Sequence, residues 1–168
     1  MDLTGLRWTK NVKHQGDDKY WAYDNINSDL NGFFLHWKTE YKPNACKPNE
    51  GELIILRQRA KVTHIVKLLN NTLYDYRSGA EFDMGRLVRV VWMTKDWDNS
   101  PENKEVFGCS LEFPRFGKVI ALENIREFKD HWDSNGGILG FQKSEDVQEV
   151  LNRKGKWQLL PLELNRCE

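Results

Sequence analysis

The stretch Glu52-Leu53-Ile54-Ile55-Leu56-Arg57-Gln58-Arg59-Ala60-Lys61-Val62-Thr63-His64-Ile65-Val66-Lys67-Leu68-Leu69 decides the fold class. Two runs rich in β-branched and aliphatic residues flank the short basic link Gln58-Arg59-Ala60-Lys61, and this pattern predicts a β-hairpin. Downstream, residues 86–93 alternate in part. Leu87, Arg89, Val91 and Met93 fall on one face and Val88, Val90 and Trp92 on the other, which is apolar enough for a central strand. Upstream, Tyr20-Trp21-Ala22-Tyr23 predicts a short strand that ends at Asp24-Asn25-Ile26-Asn27-Ser28-Asp29, a string of turn and cap formers.

Helices are expected in the C-terminal half. Leu122, Ile125, Phe128 and Trp132 sit at helical spacing and form a core stripe. A second helix is signalled by Ser144 as N-cap, Glu145 and Asp146 in the first turn, Val147, Val150 and Leu151 as its apolar face, and Gly155 as terminator. Residues 157–161 read as an edge strand that packs back, and residues 95–104 as a polar loop carrying Trp97. Residues 1–18 mix charges with Gly5 and Gly16 and are expected to be a lead-in, leaving 19–168 as a single α+β domain.

Composition limits what the domain does. A chain of 168 residues buries about two thirds of its unfolded surface and needs no covalent staple. Lys plus Arg and Asp plus Glu balance at 25 each, so any contact with nucleic acid depends on a local basic patch. Cys46, Cys109 and Cys167 are scattered, which fits neither a disulfide framework nor a zinc site and points to a reducing cytoplasm. The start of the chain lacks an apolar leader run, and no stretch reaches the roughly 18 apolar residues of a membrane span. The seven tryptophans are numerous for so polar a chain, and some of them are candidates for a ligand site.

No nucleophile elbow, Cys-His signature or phosphate-binding glycine loop occurs, so no catalytic centre is expected. His14, His36, His64 and His131 lack metal-ligand spacing, and neither metal nor cofactor is expected. The acidic pairs Asp17-Asp18, Asp96 with Asp98 and Asp130 with Asp133 read as solvated faces. What remains is a basic surface beside aromatics. Arg57, Arg59, Lys61 and Lys67 belong to the hairpin, and Lys38 and Lys42 flank Trp37 and Tyr41. Stacking of about 1 to 3 kcal/mol per base, with salt-dependent phosphate contacts, suits such a patch to an exposed base.

The order Tyr20-Trp21-Ala22-Tyr23, then Asp24-Asn25-Ile26-Asn27, then Trp37, then Lys47-Pro48-Asn49-Glu50-Gly51-Glu52 leading into Leu53-Ile54-Ile55-Leu56 resembles the EVE branch of the PUA-like superfamily, relatives of YTH and ASCH domains. The resemblance spans residues 19–132, with Glu52 where the family's turn carries Asp and extra residues between Pro48 and Gly51. It implies a small, twisted, mixed β-barrel flanked by helices. A flipped or unpaired base, often a modified one, enters its aromatic pocket from DNA or RNA.

Carried over residue by residue, Asp24, Asn25 and Asn27 match positions that hydrogen-bond the base edge. Trp37 matches a stacking wall, Trp97 completes the cage, and Trp21 lies on the opening strand. Arg57, Arg59, Lys61, Lys38 and Lys42 are the phosphate candidates. A partner nuclease or other effector would supply chemistry. Two other readings stay open: a protein-interaction or small-ligand domain of a bacterial or phage system, and an ASCH-type nucleoside hydrolase using Lys38 or Glu40.

Overall fold

The computed structural model describes residues 1–26, 31–75, 81–114 and 116–157. Its centre is the expected hairpin, β3 (Leu53–Gln58) and β4 (Lys61–Asp75), numbered after β1 (Leu6–Asn11) and β2 (Gly32–Trp37). Arg59 and Ala60 both have positive φ, 53° and 61°, the backbone of a two-residue type I′ turn. Neither residue favours that region, and contacts from outside hold the tip. Asn103 N–H donates to Ala60 O, Val62 N–H to Pro101 O, and the Arg59 guanidinium to Asp18 O.

The predicted central strand is β5 (Met84–Thr94), and β6 (Val119–Ala121) and β7 (Gly155–Trp157) complete a mixed sheet of order β2-β5-β4-β3-β1-β6. Opposite β4, the first half of β5 pairs with β2 and its last residues with β7. Among the described residues only the β1–β3 ladder is parallel; the other ladders are antiparallel. Both faces are covered, which explains the unbroken apolar run of β3. Leu53 and Ile55 enter one core, and Ile54 and Leu56 the other.

The first core lies under α2 (Asn103–Phe107), α3 (Arg126–Trp132), α4 (Gly137–Lys143) and α5 (Glu145–Lys154), which pack Phe107, Phe128, Trp132, Phe141 and Leu151 against the sheet. The stripe Leu122, Ile125, Phe128 and Trp132 is buried as expected, although its first turn is a 3-10 turn. The Ser144 hydroxyl caps α5 by accepting from Val147 N–H. The second core, with Val12, Leu35, Trp37, Val66, Val88 and Val119, faces α1 (Lys42–Ala45) and the loop around Ala22.

Three expectations change. The sheet is not a closed barrel: among the described residues its end strands β2 and β6 do not pair. One side chain spans them instead. Asn44 Oδ1 accepts from Trp37 Nε1 at 3.1 Å and Val119 N–H at 2.8 Å, while its Nδ2 donates to Val119 O at 2.8 Å. The lead-in is a sheet member, since β1 lies between β3 and β6 and buries Leu6, Thr9 and Lys10. Residues 20–23 are not a strand. The Gln58 side chain at the hairpin end takes up their backbone polarity, accepting from Ala22 N–H and donating to Tyr20 O. Of the expected tail strand only Trp157 belongs to β7, and residues 158–161 lie outside those described. Among the described residues no helix is long and apolar enough to cross a membrane.

Candidate binding pocket

A cavity of about 170 Å³ opens beside the end of β1, lined by Lys10, Asn11, Val12 and Lys13 from that end, His36 and Lys38 around the end of β2, and Tyr23, Tyr41, Phe82 and Phe116 from the loops. Alternation along β1 sends Thr9 toward the helical side, where its hydroxyl meets Arg57. Lys10 and Val12 point toward the second core. A lysine has thus been placed at an inward position. Lys10 is 2% exposed, its Nζ lies 4.7 Å from the centre of the Trp37 ring, and it donates to Gly117 O.

Among the described residues no carboxylate lies within ion-pair distance of Lys10, and none lines the cavity. Burial first, and the nearby Arg57 charge second, pull the Lys10 amine from 10.5 down to about 7. The outer lysines are differently placed. Lys13 and Lys38 lie 5.2 and 5.8 Å from the Phe82 ring centre and share Glu81, at 3.5 and 3.0 Å. Lys118 sits 4.8 Å from the Tyr41 ring centre and 6.0 Å from that of Phe116. Lysines thus cluster at the mouth, where Glu81 offsets Lys13 and Lys38 and the Glu40 charge also acts on Lys38.

The opposite wall is built of stacked and hydrogen-bonded rings. Tyr23, with φ of 57°, stacks on Phe33 at 4.2 Å between ring centres. Its hydroxyl lies 3.0 Å from His36 Nδ1, in hydrogen-bond contact, and accepts from His36 N–H at 3.1 Å. Burial raises the Tyr23 phenol, which stays protonated. Behind it, His64 is fully buried, with Nε2 3.1 Å from Tyr23 O and Nδ1 2.9 Å from Thr63 Oγ1. Burial lowers this imidazole from 6.5 to about 4, so it is neutral, with Nε2–H donating to the carbonyl and Nδ1 accepting from the hydroxyl.

The residues expected from sequence are dispersed. Trp37 has no exposed surface and packs under Lys10, so no base stacks on it. Trp21 and Trp97 do meet, with ring centres 5.9 Å apart. Arg59 lies 4.7 Å over Trp21, and His64 is 5.4 Å from Trp97, forming a separate half-buried cluster. Asp24 and Asn25 are exposed beyond Tyr23, and Asn27 lies outside the described residues.

Among the phosphate candidates, Lys38 lines the cavity and Lys42 is exposed at the start of α1. Arg57 is not at the surface: it is 3% exposed, with Nε donating to Thr9 Oγ1 and its guanidinium 3.4 Å over Phe113. The Lys61 ammonium donates to Asp98 O, which ties it to the neighbouring loop. Lys10, Lys13, Tyr23, His36, Phe82 and Phe116 were missed. A usable signal was Lys10 at an inward position of the alternation Trp8-x-Lys10-x-Val12.

No family model, curated protein or solved structure matches the chain. Among the described residues no cluster of three or more His, Cys, Asp or Glu is placed to hold a metal ion.

Proposed function

We propose that the protein is a nucleic-acid-binding module that receives one flipped or unpaired base, modified bases included, in the Lys10 pocket. Its fold would be a PUA-like variant in which Asn44 stands where a barrel would have a strand ladder. The observation that carries this reading is a cavity lined by three lysines and by Tyr23, Tyr41, Phe82 and Phe116, with no carboxylate among its described lining residues. Such a lining favours a ligand that is both planar and anionic, and a nucleotide is both. The volume of about 170 Å³ suits a single ring system, since an apolar cavity of about 150 Å³ accepts benzene.

Extrusion of a base costs a few kcal/mol, least for damaged, mismatched or single-stranded targets, so those targets are favoured. Recognition leaves the base unchanged, and any chemistry belongs to a partner such as a nuclease. Titration of fluorescent single-stranded and mismatched duplex oligonucleotides, unmodified and with methylated bases, tests the reading. The double variant Lys13→Glu with Lys38→Glu should weaken binding at least about tenfold and flatten the log–log salt slope by roughly 1 to 2. Failure of every oligonucleotide to bind saturably at low salt rules the reading out. Binding of a mononucleotide or inorganic phosphate alone would transfer the pocket to a small anionic ligand.

A further inference from the structure

Lys10 is an unusual group to find at the floor of a cavity. Its Nζ meets one carbonyl oxygen, Gly117 O, and one aromatic face, that of Trp37, and no carboxylate among the described residues. The other buried cations are placed differently. Arg86 donates to Ala45 O at 2.7 Å, Pro48 O at 3.1 Å and Asn70 O at 2.8 Å, which makes it a brace between α1 and the bulge of β4. Arg57 has its Thr9 bond and its Phe113 face, leaves its Nη2 without a partner among the described residues, and does not line this cavity. A buried cation without a counter-ion is costly, and an uncharged amine in the same place is not. Lys10 combines a missing counter-ion, among the described residues, with a place in the wall of this cavity, and Lys13 and Lys38 at that cavity attract anions.

We infer that Lys10 is a nucleophile that captures phosphorylated aldehydes as an imine in this cavity. The uncharged Lys10 amine adds its lone pair to the aldehyde carbon, forming the C–N bond as the carbonyl pair moves to oxygen. Transfer of a nitrogen-bound proton to that oxygen gives the carbinolamine. Loss of its hydroxyl together with the remaining nitrogen proton releases one water and leaves the C=N bond. No oxidant or reductant takes part, and hydrolysis reverses the step. Lys13 and Lys38 hold the phosphate, and the depressed Lys10 pKa of about 7 supplies uncharged amine at neutral pH.

The inference rests on the pocket being a receptor for anions, and does not require nucleic acid to be the occupant. Two probes distinguish the sources: glyceraldehyde 3-phosphate, and an oligonucleotide with an abasic site, whose ring-opened sugar exposes an aldehyde. The full chain is incubated with each in cyanoborohydride, and peptide mass spectrometry locates the reduced adduct.

One dominant adduct on Lys10, formed with either probe, is the expected result. Its rate should rise through about pH 7, whereas surface lysines gain reactivity toward their usual range near 10. Unphosphorylated glyceraldehyde should label Lys10 about tenfold or more slowly, the lower end of what a focused positive field contributes. Lys10→Arg keeps the charge and should abolish the adduct. Lys10→Met removes charge and nucleophile together, and is the second variant if arginine does not fit. Labelling spread over surface lysines, or absent with both probes, overturns the inference. If the oligonucleotide binds without forming an adduct at Lys10 and the free aldehyde forms none there, capture falls and base binding stands. If only the free aldehyde labels Lys10 and no oligonucleotide binds, capture stands and base binding falls.

Discussion

Each buried polar side chain near the pocket reaches its low-dielectric position in a different way. The Tyr23 hydroxyl meets two groups of one residue, His36, its ring Nδ1 and its backbone N–H. Trp37 is satisfied by Asn44, and His64 by a carbonyl and a hydroxyl in one tautomer only. That last arrangement makes stability depend on pH. The folded-state value of about 4 lies below the ordinary 6.5, so between these limits the unfolded chain binds the extra proton and stability rises with pH. The His64 contribution is complete above pH 6.5 and is lost as pH falls to about 4, with a size of the order of 3 kcal/mol. Urea midpoints measured across this interval should fall on acidification. The His64→Gln variant should show a shallower fall from a lower starting stability, and parallel curves would mean that His64 is already charged in the fold. None of this was legible in sequence, where His64 is simply the third residue of a strand. Its burial follows from the Tyr23–Phe33 stack and Trp97 covering it.

At the level of elements, the hairpin and the capped helix were legible because their signals are local: β-branched runs about a short link, and a serine three residues before a satisfied N–H. The role of Gly155 was only half visible. It ends α5, but its backbone is extended rather than left-handed, at φ −136°. Glycine is required there because a Cβ would lie 2.1 Å from Cε2 and Nε1 of Trp92, where β7 crosses the indole. Trp92 is not free to retreat, since its Nε1 donates to Leu151 O at 2.9 Å. Gly155→Ala should therefore destabilise by about 2 to 3 kcal/mol through overpacking, read as a lower urea midpoint with altered near-ultraviolet dichroism from the tryptophans. Gly137→Ala is the contrasting case. It meets no atom within 4 Å but has φ of +62°, and should cost roughly 1 to 2 kcal/mol from backbone conformation alone. Equal losses without a spectral change at Trp92 would refute the steric account. Helix α4 escaped notice for a related reason: its entry through Gly136 and Gly137, with Gly140 against Asn135 O, is set by space that only the folded chain defines.

For the whole molecule, the ends of the described chain determine how the sheet is assembled. Lys10 disguised β1 in the sequence, because an inward charge breaks the apolar alternation that identifies a strand, and the same residue makes the pocket unusual. The barrel was an implication of the family resemblance alone, since consecutive β-rich segments carry no statement of whether the end strands meet. Here, among the described residues, they do not pair, and only the Asn44 side chain links them, a long-range contact without a local signature. The N-terminal segment is fastened at several points. Leu3 and Leu6 are buried in the helical core, Gln142 Nε2 donates to Leu6 O at 3.2 Å, and Gln148 bonds both the amino group and the carbonyl of Met1. Because β1 fills the position between β3 and β6, removing it leaves one edge of β3 without a partner and separates β6 from the sheet. Deletion of residues 2–11 should abolish cooperative urea unfolding and fixed near-ultraviolet dichroism while leaving much of the far-ultraviolet signal, as expected when packing is lost but secondary structure survives. A lead-in that merely rests on the surface would leave the midpoint and both spectra almost unchanged, and that result would remove β1, and with it the Lys10 pocket, from the centre of the fold.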